Sequence, residues 1–193
     1  RCCCGGDVAS AITTKRLVDA DIAYATAEDA EQSLHDALIA ANGLLAETVF
    51  EHHELTGMGT TVTALLRAPG NRFALAPIGD SRGYVYRDGE LHAVTHDHTF
   101  VQMLVDEGRI TAEEADTHPQ RSVVMKVLGD VGTSPDLDLS LREAHVGDRW
   151  LLCSDGLSSY VSDEKIASIL DSFRTPQSAA DRLVRESLDH GAA

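Results

Sequence analysis

Two aspartates stand where a carboxylate could hold a metal ion. Asp80 lies in the segment Gly79-Asp80-Ser81-Arg82 and Asp155 in the segment Cys153-Ser154-Asp155-Gly156, and each follows an apolar run with a glycine beside it. An aspartate at the mouth of a buried strand, next to a glycine that lets the backbone approach closely, can direct a hard oxygen ligand into a cleft. Mg²⁺ and Mn²⁺ prefer such oxygens. For either segment alone we favour the plainer role, in which the aspartate accepts backbone N–H bonds in a turn.

The hydrophobic pattern around both aspartates predicts β-strands. Residues 59–66 alternate with a period of two and end at Pro69-Gly70-Asn71, which is typical of a strand followed by a turn. Asp88-Gly89 is a strong signal for a type I′ hairpin turn. Further strands are expected over residues 72–78, 83–87, 90–95, 137–141 and 150–153, the last of them buried. Strands that follow one another through tight turns favour an antiparallel sheet.

Helices are predicted before, between and after these strands. One long helix should bury the face formed by apolar residues at steps of three and four, namely Leu34, Leu38, Ala41, Leu45 and Val49. A helix over residues 99–107 should stop at Gly108, and Thr111 with Glu114 forms a capping box that starts a short helix. Ser162 and Thr175-Pro176 mark the starts of two more.

The composition excludes several classes of function. A chain of 193 residues is expected to form one domain, since domains run to roughly 100–200 residues. The 16 Lys and Arg against 31 Asp and Glu leave a net charge of −15, which opposes binding to nucleic acid or to an anionic membrane surface. No stretch approaches the roughly 18 apolar residues that a membrane span needs.

The four cysteines predict no disulfide framework. Cys2, Cys3 and Cys4 are adjacent, and Cys153 lies inside an apolar run, so we expect a reducing cytoplasm. Three adjacent thiolates cannot easily surround one tetrahedral zinc ion, whose ligands usually come from spaced pairs.

Six ordered segments together resemble the PPM family, the metal-dependent protein serine/threonine phosphatases of type 2C, and in particular its bacterial branch. They are GMGTT (57–61), GDSRGY (79–84), RDG (87–89), THDH (95–98), HPQRS (118–122) and CSDGL (153–157). The stretch 5–10 is also similar to the tail of the family's first metal motif, where a helix opens.

The resemblance implies an α+β fold, a four-layer α-β-β-α sandwich of two mainly antiparallel sheets flanked by helices. It implies two or three metal ions, Mn²⁺ or Mg²⁺, two of which bridge a water that attacks the phosphorus of phosphoserine or phosphothreonine in a protein. Bound cations would locally reverse the repulsion between a chain of charge −15 and a phosphorylated substrate. The expected partners are phosphorylated proteins and serine/threonine kinases.

Site residues follow from the matching motifs. Asp155 matches an aspartate of the bimetal centre, and Asp80 matches the aspartate associated with an additional metal in bacterial members. His118 and Arg121 fall in a segment that forms a flap beside the cleft in bacterial relatives, so both are candidates for phosphopeptide binding. For His118 we favour an ordinary role in a solvated loop. No side chain is expected to act as a covalent nucleophile, because water is the nucleophile in this family.

The chain also departs from the family pattern. The D-G-M-G-G first metal motif and the C-terminal G-x-D-N motif are absent, and Ser159 stands where relatives often have an aspartate. We therefore expect residues 1–193 to form one phosphatase domain truncated at both ends, with poor metal affinity and weak activity.

Two other functions remain open on the sequence. A noncatalytic, pseudophosphatase-like domain would bind phosphopeptides or kinases without turnover. A serine esterase would use Ser81 of Gly79-Asp80-Ser81 as nucleophile, but such enzymes need an Asp-x-x-His pair, whereas Asp189 and His190 are adjacent. Chelation separates the classes, since a serine esterase should not respond to EDTA.

Overall fold

A computed structural model describes residues 5–129 and 135–192, so Cys2, Cys3 and Cys4 lie outside the described residues. The helices are α1 (Gly6–Asp19), α2 (Ala27–Glu51), α3 (Phe100–Asp106), α4 (Ala112–Asp116), α5 (Asp155–Ser158), α6 (Asp163–Ser172) and α7 (Pro176–Asp189). The strands are β1 (Val62–Ala68), β2 (Arg72–Ile78), β3 (Arg82–Arg87), β4 (Glu90–Ala93), β5 (Ser140–Glu143) and β6 (Arg149–Cys153), and a short 3-10 turn covers His53–Leu55.

These elements form two compact units. The first contains the described residues up to Gly79 together with those of Asp97–Ala144, and the second contains Asp80–His96 and the described residues from His145 onwards. Each unit holds one three-stranded antiparallel sheet, ordered β1-β2-β5 in the first unit and β4-β3-β6 in the second. The assignment of the whole chain to one phosphatase domain stays a prediction.

The first unit is built around helix α2, which packs on β1 and β2. Thr26 caps this helix, because its hydroxyl accepts from the Asp29 N–H while the Asp29 carboxylate accepts from the Thr26 N–H. The residues that the sequence places on its apolar face are buried, as predicted: Leu34, Leu38, Ala41, Leu45 and Val49. Together with the buried side chains of β1 and β2 they form the core of this unit.

The second unit is a hairpin extended by a later strand. Asp88 (φ 52°) and Gly89 (φ 89°) join β3 to β4 with positive φ at both positions, which confirms the predicted type I′ turn. Strand β6 pairs with the other edge of β3, and helices α6 and α7 contribute a separate apolar cluster. Ser162 and Thr175 cap these two helices, as the sequence predicts.

Two strand predictions need correction. Strand β5 covers only Ser140–Glu143, so Leu137 and Leu139 lie outside it. Between these two leucines, the Asp138 carboxylate accepts a hydrogen bond from Lys126. Residues 137–139 are thus held by a side-chain contact and not by backbone hydrogen bonds to a neighbouring strand of the described part of the chain. The run 150–153 is not fully buried, because β6 forms an edge of its sheet among the described strands and Leu152 is 42% exposed.

Candidate metal centre

Asp155 is the first residue of α5, and Ser154 alone separates it from the end of β6. Ser154 is extended (φ −82°, ψ 172°), and the chain turns into the helix at Asp155. Leu157 and Val161 anchor the turn in the apolar cluster of the second unit, which leaves the Asp155 side chain exposed. The buried Ser187 of α7 donates its hydroxyl hydrogen bond to the Gly156 carbonyl and so holds the residue that follows Asp155.

Asp80 lies in the short turn between β2 and β3. Gly79 enters this turn with φ 97°, and a Cβ atom at this position would lie 2.4 Å from Cγ2 of Thr61. Glycine is therefore required by both the backbone conformation and the space. Asp80 itself is half-buried.

The register of β3 and β6 relates the two aspartates. Arg82 pairs with Cys153, Asp80 precedes Arg82 by two residues, and Asp155 follows Cys153 by two. In an antiparallel pair these positions lie opposite each other when the register is continued. Both carboxylates therefore leave the strand pair at the same end, within one unit.

Strand β3, which follows Asp80, contains the buried and neutral side chain of Tyr84. Burial raises the pKa of Tyr84 to about 12, against the opposing effect of the Arg82 guanidinium, whose Nη1 lies 3.4 Å from the Tyr84 hydroxyl oxygen. Tyr84 therefore acts as an apolar core residue with a polar tip at neutral pH.

The two aspartates fit divalent metal ions by donor chemistry, because carboxylate oxygens are the hard ligands that Mn²⁺ and Mg²⁺ prefer. Together they supply two carboxylate groups as candidate metal ligands. In residues 5–129 and 135–192, no three His, Cys, Asp or Glu side chains converge on one point.

His118 and Arg121 belong to the other unit and are described within it. The His118 Nδ1 accepts from the Gln120 N–H at 3.1 Å, and its ring lies 6.3 Å from that of Phe100 between centroids. Since Nδ1 is an acceptor, the proton of the neutral ring is on Nε2. Arg121 is exposed in the same turn. Their assignment to substrate binding stays a prediction.

Two residues near the aspartates were given no role on the sequence. His98 contacts Gly79, and Ser187 contacts Gly156, so each holds a neighbour of a candidate ligand. His98 lies in the THDH segment, which drew attention to it, but no local pattern points to its partner 19 residues earlier. Ser187 carries no such signal, because it is one polar residue on an amphipathic helix.

Comparison with known proteins shows to which family the chain belongs. The family model described as "Protein phosphatase 2C" matches residues 4–190. The chain belongs to the protein phosphatase 2C family. The metal-dependent phosphatase family inferred from the six sequence segments is thus confirmed.

Individual relatives of this family give the same result. The serine/threonine protein phosphatase PstP of Mycobacterium tuberculosis is 48% identical over 193 residues, which are 97% of this chain and 36% of that protein. A crystal structure of the M. tuberculosis phosphatase superimposes with a TM-score of 0.91, covering 97% of this chain and 78% of that one. A PstP catalytic domain in complex with two manganese ions is 44% identical and gives a TM-score of 0.86, covering 97% and 77% of the two chains.

These similarities confirm the α+β fold class, two mainly antiparallel sheets flanked by helices, for a protein phosphatase 2C member. None of the helices in the described part of the chain combines the length and the apolar composition that a bilayer crossing requires.

Proposed function

We propose that this chain hydrolyses phosphoserine and phosphothreonine in proteins. The observation that carries the proposal is the register of β3 and β6, which places Asp80 and Asp155 at one end of a strand pair in a protein phosphatase 2C fold. The named relatives are serine/threonine phosphatases, and one of them binds two manganese ions.

Each residue of the site has a distinct task in this proposal. Asp155 would hold a metal ion of the bimetal centre, and Asp80 would hold an additional ion. When bound, divalent ions supply an activated water and neutralise charge on the phosphoryl oxygens. Gly79, with its positive φ and its closeness to Thr61, lets the backbone turn closely beside Asp80. His118 and Arg121 would contact the phosphopeptide.

The proposal includes Mn²⁺ or Mg²⁺ as cofactor, two or three ions in number, and serine/threonine kinases as the enzymes that supply the substrate. A cytoplasmic location is part of it, on the ground that the cysteine spacing in the sequence shows no disulfide framework.

The test is Asp155→Asn, which removes the negative charge that anchors a hard cation while preserving the shape of the side chain. We expect Mn²⁺-dependent hydrolysis of p-nitrophenyl phosphate and of a phosphothreonine peptide to fall roughly hundredfold or more, since a metal contributes several kcal/mol to such reactions. EDTA should abolish the activity of the unaltered chain.

Asp163→Asn is the matched control, because Asp163 is also an exposed first residue of a helix that follows a serine. It should leave hydrolysis unchanged. Full turnover by Asp155→Asn at saturating Mn²⁺ would refute the assignment of Asp155. Phosphopeptide binding by the unaltered chain without turnover would instead favour the noncatalytic alternative.

A further inference from the structure

His98 is a nearly buried histidine that contacts the backbone next to a candidate metal ligand. Its side chain is only 9% exposed. Its Nδ1 accepts a hydrogen bond from the Gly79 N–H at 3.1 Å, and its own N–H donates to the Gly79 carbonyl at 2.8 Å. One residue thus satisfies both backbone polar groups of the glycine that immediately precedes Asp80.

The conformation of Gly79 is restricted on its other side as well. Its φ of 97° and the closeness of Thr61 leave little freedom to rotate. A glycine is ordinarily the most flexible residue of a chain. Here the two bonds to His98 hold both of its peptide groups, including the one that links it to Asp80.

The His98 ring is held in place by charged groups. Its Nε2 lies 2.9 Å from an Asp138 carboxylate oxygen, and the Lys126 ammonium contacts the same oxygen at 3.2 Å and Asp136 at 2.9 Å. Because Nδ1 accepts from Gly79, the ring proton is on Nε2 and points to Asp138. The His98 carbonyl also accepts from the Met125 N–H at 2.7 Å. These contacts set both the tautomer and the orientation of the ring, as outer partners of metal sites commonly do.

We infer that His98 is a positioning residue for Asp80: through Gly79 it holds the Asp80 carboxylate in the orientation needed for metal binding. The inference rests on the proposed function, in which Asp80 holds a divalent ion. Asp138 and Lys126 act one step further out by orienting the His98 ring.

The test measures Mn²⁺ binding to the full chain by calorimetry, with thermal unfolding as a separate readout. Asp80→Asn first identifies the binding event that depends on Asp80. In His98→Ala this event should weaken about 10- to 100-fold, the range found for outer partners of metal ligands. His92→Ala is the matched control, because His92 is an exposed histidine that also lies close to a carboxylate, that of Glu90, and it should bind Mn²⁺ normally.

Two further substitutions separate positioning from general stability. His98→Asn keeps an acceptor near the position of Nδ1 and should restore Mn²⁺ binding to within about threefold of the unaltered chain. His98→Gln keeps a polar group near Nε2 instead, and should bind as weakly as His98→Ala. This pair decides the question even if His98→Ala fails to fold, since both replacements are amides.

Three results would overturn the inference, and they differ in what else they affect. If Asp80→Asn weakens Mn²⁺ binding but His98→Ala does not, only the role of His98 is wrong. If Asp80→Asn itself binds Mn²⁺ normally, the Asp80 assignment in the proposed function fails together with the inference. Equal Mn²⁺ affinities for His98→Asn and His98→Gln would show that the bond to Gly79 has no effect on the metal.

Discussion

Gly79 and Gly89 both adopt positive φ, at 97° and 89°, but only at Gly79 would an added Cβ atom meet a neighbouring side chain, that of Thr61. We expect Gly79→Ala to lower the free energy of unfolding by about 3 kcal/mol or more, combining left-handed backbone strain with overpacking against Thr61. Gly89→Ala has open space around it and should lose only about 1–2 kcal/mol, from backbone strain alone. Urea unfolding of both variants measures the difference. Equal losses would mean that Thr61 moves aside at no cost.

Ser81 tests whether water or a hydroxyl group is the nucleophile. Ser81→Ala should retain most of the Mn²⁺-dependent turnover of p-nitrophenyl phosphate, because the proposed site activates water. The measurement is kcat at saturating Mn²⁺, with Asp155→Asn as the inactive reference. A loss of turnover by several orders of magnitude would favour the serine esterase instead. Against that function, the His190 Nδ1 atom already contacts the Glu186 carbonyl oxygen at 2.8 Å.

At the scale of elements, an ion pair joins the end of β3 to the residue before β6. The Arg87 Nε and Nη2 atoms donate to the two Asp148 carboxylate oxygens at 2.8 and 2.7 Å, and the Asp148 side chain is only 3% exposed. The Arg87 hydrogen bond, together with that from the His145 N–H, lowers the pKa of Asp148 from 3.8 to about 2 against the effect of burial. Such charged, bidentate bonds are among the stronger ones in proteins.

This pair predicts a pH-dependent stability. The folded pKa lies below the unfolded value, so the contribution is fully present above pH 3.8 and is lost as the pH falls through about 2. Arg87→Met should lower the free energy of unfolding by about 2–3 kcal/mol at pH 7, and the difference should shrink at pH 2.5. Arg109→Met is the control, because its pair with Glu107 is exposed and should be worth about 0–1 kcal/mol. A deficit that is independent of pH would show that the charge of Asp148 is not involved.

Local elements are those that the sequence predicts well. The capping box of Thr111 and Glu114 forms with bonds of 3.2 and 2.8 Å, and the Asp88-Gly89 turn forms between β3 and β4, because a few adjacent residues determine each of them. The sequence does not predict that β6 is an edge strand, because this property is not determined by adjacent residues. Strand order depends on pairing between distant segments, and an apolar run alone does not show how many neighbours a strand has.

In the candidate site, too, the sequence predicts what adjacent residues determine and does not predict what depends on distant segments. Asp80 and Asp155 could be found from their motifs, since each motif is contiguous. Their location at the same end of the β3–β6 pair depends on the strand register, and the contact between His98 and Gly79 depends on how the chain returns to the end of β2. Neither arrangement leaves a periodic signal in the sequence.

At the scale of the whole molecule, the net charge of −15 should affect substrate choice. If the chain is a phosphatase, a phosphopeptide flanked by arginines should have a KM roughly three- to tenfold lower than one flanked by glutamates at low salt, with similar kcat. The ratio should approach one in 0.5 M NaCl, because salt screens long-range attraction. Steady-state kinetics with the two peptides at both salt concentrations measures this. A ratio that does not change with salt would indicate short-range contacts instead.

The second unit is assembled from two separated stretches of chain, and this has a consequence for how the protein is made. On the ribosome, β3 and β4 emerge about 60 residues before β6, a delay of roughly 3–12 s at synthesis rates of about 5–20 residues per second. Throughout that interval the nascent hairpin exposes the edge of β3 that β6 will later cover, and such open edges invite pairing with other chains. Until Arg149–Cys153 has been made, the nascent chain therefore carries an open edge on β3 that the folded protein covers.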